Sequence, residues 1–205
     1  MTKLPPDLDD ARRVLLAALL AHVPFEGWGD GALVMAAEDL QVDAAEARLL
    51  FPAGAADMVD FYLTEGDRRM AAAIGDRDLS KLRVRDRIAL AVRTRIEPDL
   101  AAPEVVRRTA IWLALPLNSF YALRAGYRTV DAMWAAVGDR SIDFSFYTKR
   151  TLLMGVHAST VPYALGDKSE GHEETWAFLD RRIGDVINIQ IARGRLDDLL
   201  RRGAR

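Results

Sequence analysis

Catalysis needs titratable side chains within reach of one another, and this sequence brings few together. Its three histidines, His22, His157 and His172, fall in three separate segments. His172 precedes Glu173 and Glu174, but a zinc-protease helix requires a second histidine four residues from the first. A di-iron bundle requires Glu-x-x-His pairs on two helices, and the chain has no such pair. Cysteine is absent, which removes thiolate ligands, a thiol nucleophile and disulfides. There is no P-loop, no dinucleotide-binding glycine triplet and no nucleophile elbow. His172 reads as a helix-entry residue and His157 as a packed or rim histidine. The expectation is a protein without catalytic residues, bound metal or cofactor; an enzyme of this sequence would have to carry metal.

In place of a reactive cluster the chain carries an apolar excess toward its C-terminal end. Trp112, Leu115, Phe120, Met133, Trp134, Leu152, Leu153, Val156 and Trp176 exceed what a thin helical layer needs. Sites between helices are mostly apolar with a few polar guides, so these residues are the candidate lining of a ligand pocket. They would equally build a dry core, and the sequence leaves both readings open.

The elements that must position them are helices. Residues 146–161 form one, and its middle, Leu152 to Val156, is apolar all round, which predicts burial on several sides. A turn at Gly166-Asp167-Lys168-Ser169 follows, where Asp167 or Ser169 can accept a bond from the free amides of the next helix. There Trp176, Leu179, Ile183 and Ile187 recur at spacings of three and four. Upstream, Phe120, Leu123, Tyr127, Val130, Trp134 and Val137 make a similar stripe. Helices are also expected from Leu8 to Ala21, ended by Pro24 and Gly27, from Gly31 to Leu40, from Ala44 to Phe51 with Asp43 as N-cap, from Ala55 to Ile74, and from Pro103 to Leu115. No strand-like alternation occurs. The predicted class is all-α: a three-helix module at 1–52, a larger helical ligand-binding bundle at 53–192, and a basic tail at 193–205.

The three-helix module has helix-turn-helix proportions, and ALVMAAEDLQVDAAEARLLFPAG resembles the N-terminal module of TetR-type regulators. A ligand-responsive transcription regulator is therefore the alternative function. Charge argues against it. Residues 29–66 hold eight acids and one base, Arg48, and such a surface repels a duplex. No nucleic-acid partner is expected. A second charge run, at 77–95, has seven bases interleaved with Leu82, Ile88, Leu90 and Val92; it reads as a solvated face offset by Asp76, Asp78, Asp86 and Glu97. The N-terminus shows no secretory core and no apolar run approaches membrane-spanning length, so a cytoplasmic location is expected, with any membrane contact peripheral to the inner face. The tail, with Leu196, Leu199 and Leu200 among five arginines, could lie on an anionic surface or fray in solvent.

Longer matches carry a more specific likeness. HVPFEGWGDGAL, LLFPAGAADMVDFYL, EGDRRM, FYTKR, STVPYALGD and TWAFLDRRIGDV resemble the Coq-nine family across roughly residues 8–190. That family comprises lipid-binding accessory proteins of ubiquinone (coenzyme Q) biosynthesis. The resemblance implies a TetR-like fold that does not act as a repressor. It implies an apolar cavity in the C-terminal helices that holds an isoprenoid lipid or quinone precursor. It further implies a partner, the di-iron demethoxyubiquinone hydroxylase, to which the lipid is presented at the membrane. The family's partner-facing patch maps onto Asp143, Phe146, Tyr147 and Arg150; Phe146 stands where the family often has tryptophan. TetR-like proteins usually pair through their last two long helices, so a homodimer is expected here through the helices at 146–161 and 173–192.

Overall fold

Local capping chemistry sets where the helices begin. The Asp7 side chain accepts a bond from the Asp10 amide at 3.0 Å and opens α1, Leu8–Glu26. Asp43 accepts from Ala45 and Glu46 and opens α3, Ala44–Leu50, as the sequence predicts. Between them lies α2, Asp30–Asp39, and after them α4, Ala55–Gly75. The chain continues through α5, Val84–Ile96, a 3-10 turn at Glu97–Ala101, and α6, Pro103–Ala114. A second 3-10 turn, Pro116–Asn118, leads into α7, Ser119–Ala136, and then comes α8, Phe144–Gly166. A last helix, α9, is described over residues 173–186. This computed structural model describes residues 4–139 and 144–186, of which 144–146 in backbone only. Asp143 and the tail at 193–205 lie outside the described residues.

Two helices outrun their expected ends. α1 passes Pro24 and stops at Glu26, where the Gly27 amide bonds to the Val23 carbonyl at 2.9 Å and φ is +72°. α8 passes Pro162 and stops at Gly166. A proline forfeits one bond to the carbonyl four residues back, which a last turn tolerates. Pro24's own carbonyl recovers bonds from Arg108 Nε and Nη2, at 3.0 and 2.9 Å.

The chain forms two compact units, Met1–Arg69 with Pro98–Ala125 and Met70–Glu97 with Gly126–Arg205. The boundary expected at residue 52 falls inside unit 1. In unit 1, α1 packs on α2, α3 and α6 around Leu15, Leu19, Phe51 and Met58, each at most 2% exposed. Burying a side chain of that size contributes about 1.5–3 kcal/mol. Trp28 donates its indole N–H to Thr109 Oγ1 at 3.0 Å, a buried bond joining the α1–α2 turn to α6. Arg13 and Arg68 both bond to Glu65; burial raises that carboxyl, and the two arginines outweigh it and hold it below its ordinary range.

Unit 2 is built on α5, α8, α9 and the C-terminal part of α7. Gly126 of α7 approaches α8 so closely that an added Cβ would sit 3.0 Å from Met154 Sδ. The α8–α9 connection hangs on Asp167. Its Oδ1 accepts from the Ser169 amide at 2.7 Å and its Oδ2 from the Thr175 amide at 2.8 Å and the Thr175 hydroxyl at 2.6 Å. These bonds, Ser169's and Thr175's hydroxyls foremost, hold the carboxyl far below its usual range. Ser169 Oγ accepts from the Glu174 amide, so both expected caps are used. Tyr163 and Phe178 then stack at 4.3 Å across α8 and α9.

Candidate ligand-binding site

The apolar faces of α5, α7, α8 and α9 leave a cavity of about 190 Å³ inside unit 2. Val84 and Ile88 enter from α5, Trp134 from α7, Leu153 and Val156 from α8, and Ile183 and Val186 from α9. Pairs at three- or four-residue spacing on α5, α8 and α9 explain how this wall forms, since such positions share one helical face, and Trp134 alone closes it from α7. Two cations, Arg85 and Lys149, complete the lining. Arg85 donates to the Asp180 carbonyl at 3.1 Å. Lys149 Nζ lies 3.1 Å from Asp139 Oδ1 and 5.3 Å from the centre of the Trp134 ring. Val84 is 59% exposed, so the cavity opens on its side.

Trp134 has an unusual position. It is 8% exposed, its ring lines the cavity, and its indole nitrogen is buried without an acceptor among the described residues. Leaving a buried donor unpaired costs about 1–3 kcal/mol.

Of the nine candidate lining residues, the structure places Trp134, Leu153 and Val156 on the cavity wall. Met133 is fully buried in unit 2 without lining it, and Leu152 is half-buried on α8. Trp176 donates its indole N–H to the Gly171 carbonyl at 2.8 Å and lies under the Arg93 guanidinium at 4.8 Å. Trp112, Leu115 and Phe120 belong to unit 1; Trp112 is half-buried, whereas Leu115 and Phe120 are 49% and 67% exposed. Leu152 to Val156 is not enclosed all round, since Gly155 is exposed and only Leu153 and Val156 are buried. Sequence reading missed Val84, Ile88, Ile183 and Val186 as a set. The four-residue spacing of Val84 and Ile88 was the available signal, masked by the arginines around it.

Those arginines are largely engaged locally. Arg83 pairs with Asp86, Arg93 with Glu97, and Arg87 donates to the Leu82 carbonyl. Arg95 is buried at 4% exposure.

The candidate partner patch is divided. Tyr147 is 63% exposed near the start of α8. Arg150 is buried and donates from Nε to Asp131 Oδ1 at 2.6 Å, with Asp139 Oδ2 3.8 Å from Nη1; it fastens α8 to α7. Asp143 and the Phe146 side chain lie outside the described residues. His157 of α8 has a buried, unpartnered Nδ1; burial, with Arg95's charge as a second cause, pushes its pKa down to about 3. It is neutral across the physiological range. Among the described residues no group of three or more His, Asp or Glu is placed to hold a metal ion, and no helix is long and apolar enough to cross a membrane.

In the three-helix module, the single base of residues 29–66 is already spent. Arg48 of α3 makes a two-pronged contact with Asp30 of α2, Nε to Oδ1 at 2.7 Å and Nη2 to Oδ2 at 2.8 Å.

Comparison with known proteins adds the following. Residues 120–190 match the COQ9 family. The chain is 30% identical over 182 residues to the ubiquinone biosynthesis protein COQ9, mitochondrial, of Rattus norvegicus, covering 85% of this chain and 58% of that protein. With the protein of the same name from Drosophila melanogaster it is 30% identical over 188 residues, covering 90% and 57%, and with that of Homo sapiens 28% over 182 residues, covering 85% and 57%. The chain thus spans less than two thirds of the length of these relatives. In three dimensions it is similar to a TetR transcriptional regulator from Nitrosomonas europaea, with a TM-score of 0.69 and 19% identity, covering 86% of this chain and 97% of that one. At that identity the likeness is one of fold: the protein is all-helical and TetR-like.

Proposed function

The chain belongs to the COQ9 family, and on that premise we propose that it serves ubiquinone biosynthesis as a non-catalytic, lipid-binding accessory protein. In this reading it holds an isoprenoid quinone precursor and presents it to the demethoxyubiquinone hydroxylase at the membrane. The observation that carries the reading is the unit 2 cavity: an apolar wall with two cations, Arg85 and Lys149. The cavity's 190 Å³ is smaller than the ~300–1,000 Å³ of pockets that enclose a drug-sized ligand. It therefore takes a head ring or the first isoprene units, and the rest of the tail leaves past Val84 or requires the helices to part.

The direct test is extraction of the purified protein followed by lipid mass spectrometry. An isoprenoid quinone or its precursor should be enriched well above its share of the host's lipids. Extracts containing only bulk phospholipid in host proportions would overturn the reading.

The hydroxylase contact is proposed to use the exposed ring of Tyr147, because exposed aromatics beside charges are what interface hot spots are made of. Tyr147→Ala should weaken hydroxylase binding by roughly 1–2 kcal/mol or more in a titration, with thermal stability and lipid content unchanged. Equal binding by the variant would remove Tyr147 from the contact. The same reading makes the protein a homodimer paired through α8 and α9, a state that light scattering measures directly.

The regulator reading gains no support from fold likeness alone. Reading DNA requires cations free to meet phosphates, and α3's only base is held by Asp30. Sequence-specific duplex binding that survives physiological salt in a gel-shift assay would reverse this judgement.

A further inference from the structure

We propose that the turn joining α6 to α7 is a docking tip that inserts shallowly into an anionic lipid surface. Residues 109–123 contain no Asp, Glu, Lys or Arg. Within that stretch Ile111 is 61% exposed, Leu115 49%, Leu117 93%, Phe120 67% and Leu123 61%. Single exposed leucines are ordinary; five large exposed apolar side chains within thirteen residues around one turn are the kind of concentration that marks a contact surface. All five belong to unit 1, whereas the cavity is lined by residues of unit 2.

Much of the backbone at the tip is bonded within the turn. Unpaired amides and carbonyls are costly in lipid. Here the Leu115 amide bonds to the Trp112 carbonyl at 3.3 Å and the Asn118 amide to the Leu115 carbonyl at 2.8 Å. Asn118 Nδ2 adds a second bond to the Trp112 carbonyl at 2.8 Å, and the Ser119 amide bonds to the Pro116 carbonyl. Pro116 itself has no N–H to satisfy. The one polar side chain within the turn, Asn118, is thus spent in closing it.

Charge and aromatic groups are layered as a bilayer boundary would require. Arg107 and Arg108 stand below the tip on α6, and Arg124 below it on α7. Arg107 pairs with Glu104 at 3.2 Å, and Asp60 lies 3.8 Å from Arg124, so the collar stays net positive. Next come Trp112 and Tyr121, their rings 5.7 Å apart, the residue types that favour membrane interfaces. Leu115 and Leu117 lead. At 1.5 Å per residue, Arg108 to Leu115 spans about 10 Å of helix, comparable with the ~5–10 Å to which an interfacial apolar face is buried. A second copy fits less well. A two-fold contact places a patch against itself, which would set each arginine collar against the other.

The proposal rests on the lipid-presenting reading only in making a membrane the place of work. The experiment is flotation of the full chain with vesicles of phosphatidylcholine alone and of phosphatidylcholine with phosphatidylglycerol. The unmodified chain should float with the anionic vesicles, less so as salt rises. The paired change Leu117→Glu and Phe120→Glu should lower vesicle partitioning about tenfold or more, because charges are driven from the apolar boundary. Both side chains are solvent-facing, so thermal melting should not move; Leu117→Ser with Phe120→Ser serves if it does. Arg107→Glu with Arg124→Glu should abolish the anionic preference. Undiminished flotation of the apolar variants would overturn the proposal. So would a fall in native mass by light scattering without vesicles, which would assign the tip to a second copy. Extracted lipid is measured on the same samples. Lost flotation with lipid retained supports the tip; absent lipid with tip-dependent flotation defeats the proposed function and leaves the tip standing.

Discussion

Val156→Trp should empty the protein of its lipid while leaving unit 2 folded. Val156 is 5% exposed and lines the cavity from α8. In a filled core an enlarged side chain forces neighbours off their rotamers, at about 1–3 kcal/mol and occasionally more. Here the indole has a void of about 190 Å³ to occupy. The stability loss should therefore stay under about 1 kcal/mol, read as a small shift in the urea midpoint. Lipid per protein should fall at least about tenfold, since the ligand's contact volume is gone. A large loss of stability with unchanged lipid content would mean that ligand is held elsewhere and that this wall is ordinary core.

Acid should destabilise the protein through His157 before its carboxylates respond. The histidine's folded pKa is about 3, against ~6.5 in an unfolded chain. The folded value is the depressed one, so the unfolded state takes up the proton first as pH falls. The full contribution is present above pH ~6.5 and declines below it, by up to about 1.4 kcal/mol per pH unit, until the folded pKa is reached. The physical source is burial of the ring, with Arg95's positive charge adding to the cost of a second cation. Asp167 also loses its advantage in acid, because its folded pKa is depressed too, but an unfolded aspartate begins to protonate only near pH ~4. Between roughly pH 5 and 6.5 the histidine acts with little carboxylate interference. His157→Gln cannot titrate and should flatten the stability curve in that window by close to one proton's worth, measured by urea unfolding at a series of pH values. Parallel curves for the two chains would show that His157 is hydrated in the folded state.

What could be read from the sequence was mainly local. Asp43, Asp167 and Ser169 cap the helices they were expected to cap, because an N-cap bond spans two or three residues and needs no tertiary context. Pro24 was a poor stop signal, since proline forfeits one bond and the surrounding turn decides whether the helix survives. The cavity was half visible. Leu153 and Val156 declare themselves by spacing on an apolar helix, but Val84 and Ile88 sit among arginines, and charge density hid their shared face. Trp112, Leu115 and Phe120 have the same apolar character as Trp134, yet composition carries no information on which compact unit a residue joins. Arg150 shows the same limit for charge: a cation in a motif reads as surface, and only tertiary structure reveals that Asp131 holds it at 4% exposure.

The Arg48–Asp30 clamp bears on how protein shapes are sorted. A helix-turn-helix is first a way to pack three short helices, and an inventory drawn up by outline would file this chain with repressors. The clamp leaves α3 electrically self-sufficient, with that helix's lone cation answered from within the module. Counting the positive charges that a fold leaves unspent, rather than the helices it displays, would part the two groups without reference to ancestry, and the same count could be made on any member of this architecture.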